Sequence, residues 1–359
     1  MILLAPFLLA LGLMQLAAAQ FGLCGASLTG RRRGPGYLVG ALLLGAGALM
    51  LPASAIGLAM AIPAGLLAMA CLAAAGSLAC SDSDPAYFLR PGDWPAGRCR
   101  AVQIPNGGRL IPGLLITPPD AGSAGAAVCL VHGYGDHKTA FKWRLIGALL
   151  RQGLTVLTVD LAGHGQNPAV QRWPDCTREL PAALEWLRQE RPGWRLGLLG
   201  ISIGGAFSAH AALTARPDAL VICETPIRLA YSRSIVRREA WDLLRSPVVD
   251  VLRETTLWQI RRMWQAQPVR RELGLLDLLQ RLDVPGCVAR LTCPLLLVYG
   301  SRDRIAPLAH AEQLRQAAGA GCRLVEVPGA SHLAVTLVPS ATRVIAGWLA
   351  EQLRCRGNS

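Results

Sequence analysis

Lysine is almost missing from this chain. Lys138 and Lys142 are the only two, so arginine carries nearly all of the positive charge behind a formal net charge of +13. No basic run interleaves with aromatics, which make up only 5% of the residues. No nucleic-acid motif is present, and nucleic acid is not expected as a partner. A basic surface of this kind suits anionic lipid. The eleven cysteines contain no C-x-x-C and lack the short regular spacing of a disulfide framework. Most are expected as free thiols, which suits a reducing compartment. Cys129 and Cys223 fall in apolar runs, where cysteine behaves as a small hydrophobe. Ligands clustered at metal-binding spacings are absent as well, so neither a metal nor a cofactor is expected.

Charge is also missing from residues 1–80, apart from Arg31, Arg32 and Arg33. The chain is 52% hydrophobic with mean hydropathy +0.36, and this segment holds the excess. Met1 to Leu23 is apolar, and about 20 such residues form a helix that crosses a bilayer. It has no positive n-region, so a retained helix is preferred to a cleaved signal ending near Ala17-Ala18-Ala19. Ser77-Leu78-Ala79-Cys80 lacks the leucine of a lipoprotein site, and Cys80 reads as an ordinary cysteine at a helix end. Tyr37 to Cys80 is too long for one span at about 1.5 Å per residue. Three transmembrane helices are therefore expected, over approximately 1–23, 37–56 and 59–79. The arginines at 31–33, and Arg90, Arg98, Arg100 and Arg109 after the last span, place both flanks on the cytoplasmic side if the crossings between them are even in number. Two spans in place of three would put the rest of the chain outside. Residues 81–99 read as a linker.

From about residue 100 to 355 the pattern changes to short β-rich runs alternating with helices. Such alternation implies a mostly parallel sheet flanked by helices, an α/β fold. Strands are expected at 101–104, 110–117, 126–131, 154–160, 195–199, 219–223, 294–299 and 323–327. Ala126 to Val131 is apolar without a break, as in a strand buried on both faces. Helices are expected at 142–151, 178–189, 204–215, 309–318 and 340–353, with Asp175 or Thr177 capping the second. Ile227 to Leu291 has no strand signal. It is helical, rich in arginine and tryptophan, and needs a place over one end of the sheet.

Gly200-Ile201-Ser202-Ile203-Gly204 matches G-x-S-x-G, and its context gives it force. It ends a strand and opens a helix, as a nucleophile elbow does. The tight turn strains Ser202, and the flanking glycines remove Cβ atoms that would clash. The hydroxyl then stands exposed at a helix N-terminus. A serine hydroxyl needs a base to take its proton. His332, in the loop after the last strand, fits that role. Asp303, just past Pro294–Tyr299, fits as the acid that orients the imidazole. The order Ser, Asp, His and the placement of each at a strand C-terminus agree with this reading. Two oxyanion donors are expected: the N–H of Ile203 and that of Tyr134 in His132-Gly133-Tyr134-Gly135.

His132-Gly133-Tyr134-Gly135, Asp160-Leu161-Ala162-Gly163-His164-Gly165, the elbow, and the Asp303 and His332 loops together resemble the α/β-hydrolase superfamily. Within it the chain is similar to monoacylglycerol-lipase-like esterases and to serine aminopeptidases. The resemblance covers about residues 100–355. It implies an α/β-hydrolase fold in which 227–291 forms a helical cap over the site. Ile201 and Ile203 depart from the histidine or methionine that many lipase-like members carry. Glu224, after the sixth strand, occupies a position that some hydrolases use for the acid, and stands in reserve to Asp303.

His132 and His164 are expected to support loops. His137 and His310 are expected at the surface, and His210 beside the elbow. Arg237, Arg238, Arg261, Arg262, Arg270 and Arg271 read as a solvated or lipid-facing surface, with binding of a carboxylate or phosphate as the alternative. The expected function is hydrolysis of a carboxylic ester, a small molecule or a lipid, through an acyl-enzyme at the membrane. A peptidase or amidase with the same triad, and an inactive membrane scaffold, are the rival readings.

Overall fold

The structure, a computed structural model, describes residues 4–21, 28, 33–50, 98–118, 125–138, 143–229, 232, 234–235, 237–239, 242, 269–332 and 334–354. The chain divides into two units, 1–94 with 248–265 and 95–247 with 266–359.

In the first unit, α1 (Leu4–Phe21) and α2 (Arg33–Leu49) pack against each other. Gly12 and Gly40 permit the close approach, since a Cβ on either would lie within 2.8 Å of a leucine side chain on the opposite helix. The outer faces remain apolar and exposed, at Leu13, Leu38, Leu42 and Leu49. Among the described residues, no helix is long and apolar enough to cross a membrane. α2 runs for 17 residues, about 25 Å against a hydrocarbon core of about 30 Å. The span expected at 59–79 lies outside the described residues.

The second unit is built on one eight-stranded sheet. Its strands are β1 (Arg98–Asn106), β2 (Arg109–Thr117), β3 (Ala126–Val131), β4 (Thr155–Val159), β5 (Arg195–Ile201), β6 (Ala219–Cys223), β7 (Leu295–Gly300) and β8 (Cys322–Val327). Their order is β1-β2-β4-β3-β5-β6-β7-β8. β2 pairs antiparallel with β1 and β4, and every other pairing is parallel. β3, β4, β6 and β7 are buried along their whole length, which explains the unbroken apolar sequences of β3 and β6. β1 begins at Arg98, inside the expected linker.

Helices cover both faces. α3 (Trp143–Arg151) and α9 (Pro339–Leu353) pack together, and Leu349 and Leu353 of α9 lie against Gly197 of β5. The alternate residues of β5, Leu196 and Leu198, point into the opposite core. That core is shared with α4 (Glu179–Glu190), α5 (Ile203–Ala215), α6 (Leu275–Leu282), α7 (Val284–Val288) and α8 (Leu308–Ala318). α5 is apolar on all sides because it is buried on nearly all of them. Neither Asp175 nor Thr177 caps α4, because Asp175–Arg178 form a separate 3₁₀ turn ahead of it.

Part of the stretch expected as a cap belongs to this core. Leu278, Leu279, Leu282, Val284, Cys287 and Val288 are buried against α5 and α8. Their spacing in sequence is amphipathic, and they use that apolar face to return the chain to the sheet before β7.

Candidate active site

The sharp turn between β5 and α5 fixes Ser202. Its φ of 52° and ψ of −124° put a non-glycine residue in a strained region, a conformation that costs about 1–3 kcal/mol. The surroundings hold it there. Ser202 donates its N–H to the Cys223 carbonyl at 2.8 Å. Its own carbonyl accepts from the Gly205 N–H at 2.9 Å and from the Thr225 hydroxyl at 2.8 Å. Tyr299, buried in β7, donates its hydroxyl to the Thr225 carbonyl at 2.7 Å. A Cβ on Gly204 would lie 2.3 Å from the His132 carbonyl oxygen, and one on Gly205 would lie 1.9 Å from Thr225 Oγ1. Only glycine permits so close a turn.

The three sequence-predicted groups meet at the C-terminal edge of the sheet. His332 Nε2 lies 3.0 Å from Ser202 Oγ, and His332 Nδ1 lies 2.8 Å from Asp303 Oδ2. Asp303 Oδ1 accepts the N–H groups of Ile305 and Ala306 at 2.8 and 2.7 Å. A carboxylate that receives two amides accepts from the imidazole as well, so the ring proton sits on Nδ1. Nε2 is left to accept the serine proton. Asp303 and His332 are both buried.

The loop after β3 passes directly over the elbow, and a Cβ on Gly133 would lie 3.3 Å from Ser202 Cβ. His132 braces this loop. It accepts the Leu161 N–H on Nε2 at 3.0 Å and donates from Nδ1 to the Gly133 carbonyl at 2.7 Å. Tyr134 comes next, half-buried, with the Arg271 guanidinium 5.2 Å from its ring centroid. Ile203 is the first residue of α5, where backbone N–H groups have no acceptor within the helix. Of the two predicted oxyanion residues, Ile203 directly follows Ser202 and Tyr134 follows the glycine that passes over it.

His164 packs edge-on against Tyr134 and bonds the Ala162 carbonyl at 2.9 Å, and burial lowers its pKa. It holds a loop, as expected. His210 lies on α5, with Nδ1 3.9 Å from Cys287 Sγ. His137 and His310 are half-buried, not at the surface as expected. His310 sits in the first turn of α8, shortly after Asp303, and burial lowers its pKa. Arg237, Arg238, Arg270 and Arg271 are exposed, while Arg261 and Arg262 lie outside the described residues. Among the described residues, Cys99, Cys129, Cys176, Cys223, Cys287, Cys293 and Cys322 form no disulfide.

Two further acids reach this site. Glu224, the reserve acid, is 1% exposed and also has a positive φ, of 52°. Burial first, and then the neighbouring Asp303 and Glu239, hold its carboxyl well above the usual range. Glu239 is buried, and its oxygens accept the backbone N–H groups of His332 and Arg304, each at 2.8 Å. Burial raises its pKa against the pull of those two amides. Sequence reasoning missed Glu239, because Arg237-Arg238-Glu239 reads as a solvated charge run. Among the described residues, Glu224, Asp303 and His332 form the one cluster compact enough to ligate a metal ion. Its imidazole is already committed to Ser202 and Asp303.

Comparison with known proteins agrees with this architecture. The alpha/beta hydrolase family matches residues 130–346. A protein of Mycobacterium tuberculosis described as uncharacterized is 29% identical over 240 residues, which are 66% of this chain and 73% of that protein. The pimeloyl-[acyl-carrier protein] methyl ester esterase of Xylella fastidiosa is 29% identical over 244 residues, covering 58% of this chain and 88% of the esterase. Among solved structures, an esterase of Pyrococcus furiosus superposes with a TM-score of 0.53 at 18% identity, over 72% of this chain and 92% of that one.

Proposed function

Since the chain belongs to the alpha/beta hydrolase family, we propose that it is a serine hydrolase that cleaves carboxylic esters through an acyl-enzyme. The observation that carries this reading is the hydrogen-bonded line from Ser202 Oγ through His332 to Asp303, at 3.0 and 2.8 Å. Ser202 attacks the ester carbonyl while His332 Nε2 takes its proton. Asp303 keeps the imidazole in the right tautomer and stabilises the imidazolium. The amides of Tyr134 and Ile203 receive the oxyanion, and the positive end of α5 adds to their pull. His332 then protonates the departing alcohol. A water activated by the same imidazole cleaves the acyl-enzyme.

Esters are favoured over amides because the relatives include pimeloyl-[acyl-carrier protein] methyl ester esterases of Xylella fastidiosa and Chromobacterium violaceum. An acyl chain is the expected acid part, as in those names. Membrane association is part of this proposal, on the strength of α1 and α2, which carry no charge besides Arg33, and their exposed leucines. Lipid is then both neighbour and candidate substrate.

A fluorophosphonate probe tests the chemistry. The full chain should label, and Ser202→Ala should not. Failure of the folded protein to label would favour an inactive scaffold. Paired rates on acyl methyl esters, acyl-glycerols and aminoacyl amides decide the class, and preference for the amides would replace the esterase reading with a peptidase. Flotation with anionic vesicles, compared with a chain lacking residues 1–50, tests the membrane proposal.

A further inference from the structure

Asp303 is not alone beside His332. Glu224 directly follows β6, and β6 pairs with β7, whose end leads to Asp303. The turn holds Glu224 inward, with its N–H donated to the Val298 carbonyl at 3.0 Å. One donor atom from each of Glu224, Asp303 and His332 lies within 4.8 Å of the other two. Glu224 Oε1 is buried with no hydrogen-bond partner. The titratable groups that face Glu224 are Asp303, Glu239, His332, Cys223 and Tyr299. Of these only His332 can carry positive charge. Two carboxylates this close in a dry site cannot both ionise cheaply. Asp303 has two amides and an imidazole to support its charge, whereas one Glu224 oxygen has nothing. The proton therefore belongs on Glu224.

We infer that Glu224 is a positioning residue of the active site: it keeps a proton in the resting protein, leaves the negative charge on Asp303, and ionises to orient His332 when the Asp303 carboxylate is removed. This rests on the reading of Ser202, His332 and Asp303 as the working triad. It explains why a third buried acid is tolerated beside an imidazole that already has a partner. As a neutral acid, Glu224 preserves a single charge in the Asp303–Glu224 pair and does not compete for the imidazole proton.

The test compares Glu224→Gln, Asp303→Ala and the double variant in the full chain. It reads kcat/KM on a p-nitrophenyl ester against pH. It also reads the Nδ1 proton resonance of His332 in ¹⁵N-histidine-labelled protein, which needs no turnover. Asp303→Asn serves as a second background if the alanine variant does not fold. Glu224→Gln should keep the His332 Nδ1 resonance of the wild type, because an amide mimics a neutral acid. Asp303→Ala should lose roughly 10³–10⁴-fold at neutral pH and regain rate in alkali as Glu224 ionises. Adding Glu224→Gln should remove that rise and lower the alkaline rate by about tenfold or more. The Nδ1 resonance should persist at pH 9 in Asp303→Ala and vanish in the double variant. Identical profiles and spectra for the single and double variants would overturn the inference. So would a loss in Glu224→Gln as large as that in Asp303→Ala, which would make Glu224 the ionised acid. If the wild type neither hydrolyses nor labels, the Ser202 reading fails, and the resonance comparison still decides the role of Glu224.

Discussion

Glu239 holds His332 by its backbone: one carboxylate oxygen accepts the His332 N–H at 2.8 Å, and the other accepts the Arg304 N–H at 2.8 Å. One side chain from the β6–β7 insertion therefore ties together the loops that carry Asp303 and His332. Arg304 returns the contact through its guanidinium, 3.8 Å from Glu239 and 2.5 Å from Asp242. Glu239→Gln keeps one acceptor but turns an amide group toward the second N–H. The expected result is about a tenfold fall in kcat with little change in KM, and a loss of roughly 1–3 kcal/mol in stability. Steady-state kinetics and urea unfolding check both. A fall confined to KM would show that Glu239 acts on substrate access and not on the imidazole.

Lys138 and Asp160 form a buried ion pair under the loop after β4. Burial alone would raise the Asp160 pKa, but the Lys138 ammonium and other neighbours bring it below the usual value. Asp160 also accepts the backbone N–H groups of Lys138 and Gln166 at 2.8 and 2.9 Å. Lys138→Met leaves that charge uncompensated and should cost about 3–5 kcal/mol. Lys138→Met with Asp160→Asn should cost less than the single change. Urea midpoints of the two variants make the comparison, and equal losses would contradict it.

Glu179 gives the fold a pH dependence. Burial pushes its carboxyl up to about 7, although it accepts the Ala162 N–H at 2.8 Å and the Asn167 amide at 3.0 Å. The folded state then holds a proton that the unfolded chain releases near its ordinary value of 4.5. This contribution is complete below pH 4.5, falls as pH rises, and is gone above about pH 7. Its full size is about 3 kcal/mol. Glu179→Gln should flatten the stability curve across that window. Thermal or urea unfolding at pH 4.5, 6 and 8 would reveal it, and an unchanged slope would count against it.

Gly205 touches the hydroxyl that steadies the elbow. A methyl group there would lie 1.9 Å from Thr225 Oγ1, and that oxygen donates to the Ser202 carbonyl. Gly205→Ala should lose roughly 1–3 kcal/mol by overpacking and most of its labelling by a fluorophosphonate probe. Thr225→Ala in the same chain should recover stability but not activity, since the strap on Ser202 is then gone. Melting temperature and probe labelling separate the two effects.

The residues legible in advance were those whose role leaves a local mark. β3 and β6 have the bounds that their unbroken apolar runs give. Ser202 was legible because a strand, a glycine-flanked turn and a helix follow one another in sequence. His332 and Asp303 were legible because each lies just past a strand. Glu239 left no such mark, since its partners are backbone amides far along the chain. The burial of 275–288 was hidden for a related reason. An amphipathic helix shows that it has an apolar face, but not whether that face meets a substrate or the sheet. The short 3₁₀ turn at Asp175–Arg178 is a choice among neighbouring hydrogen-bond acceptors that spacing cannot rank.

The two helices that bring the insertion home, α6 and α7, sit on α5, the helix that begins immediately behind Ser202. They anchor the C-terminal end of the insertion to the sheet side of the site. A chimera that borrows another hydrolase's lid should splice upstream of Leu275. The exchange should then leave the platform behind Ser202 in place.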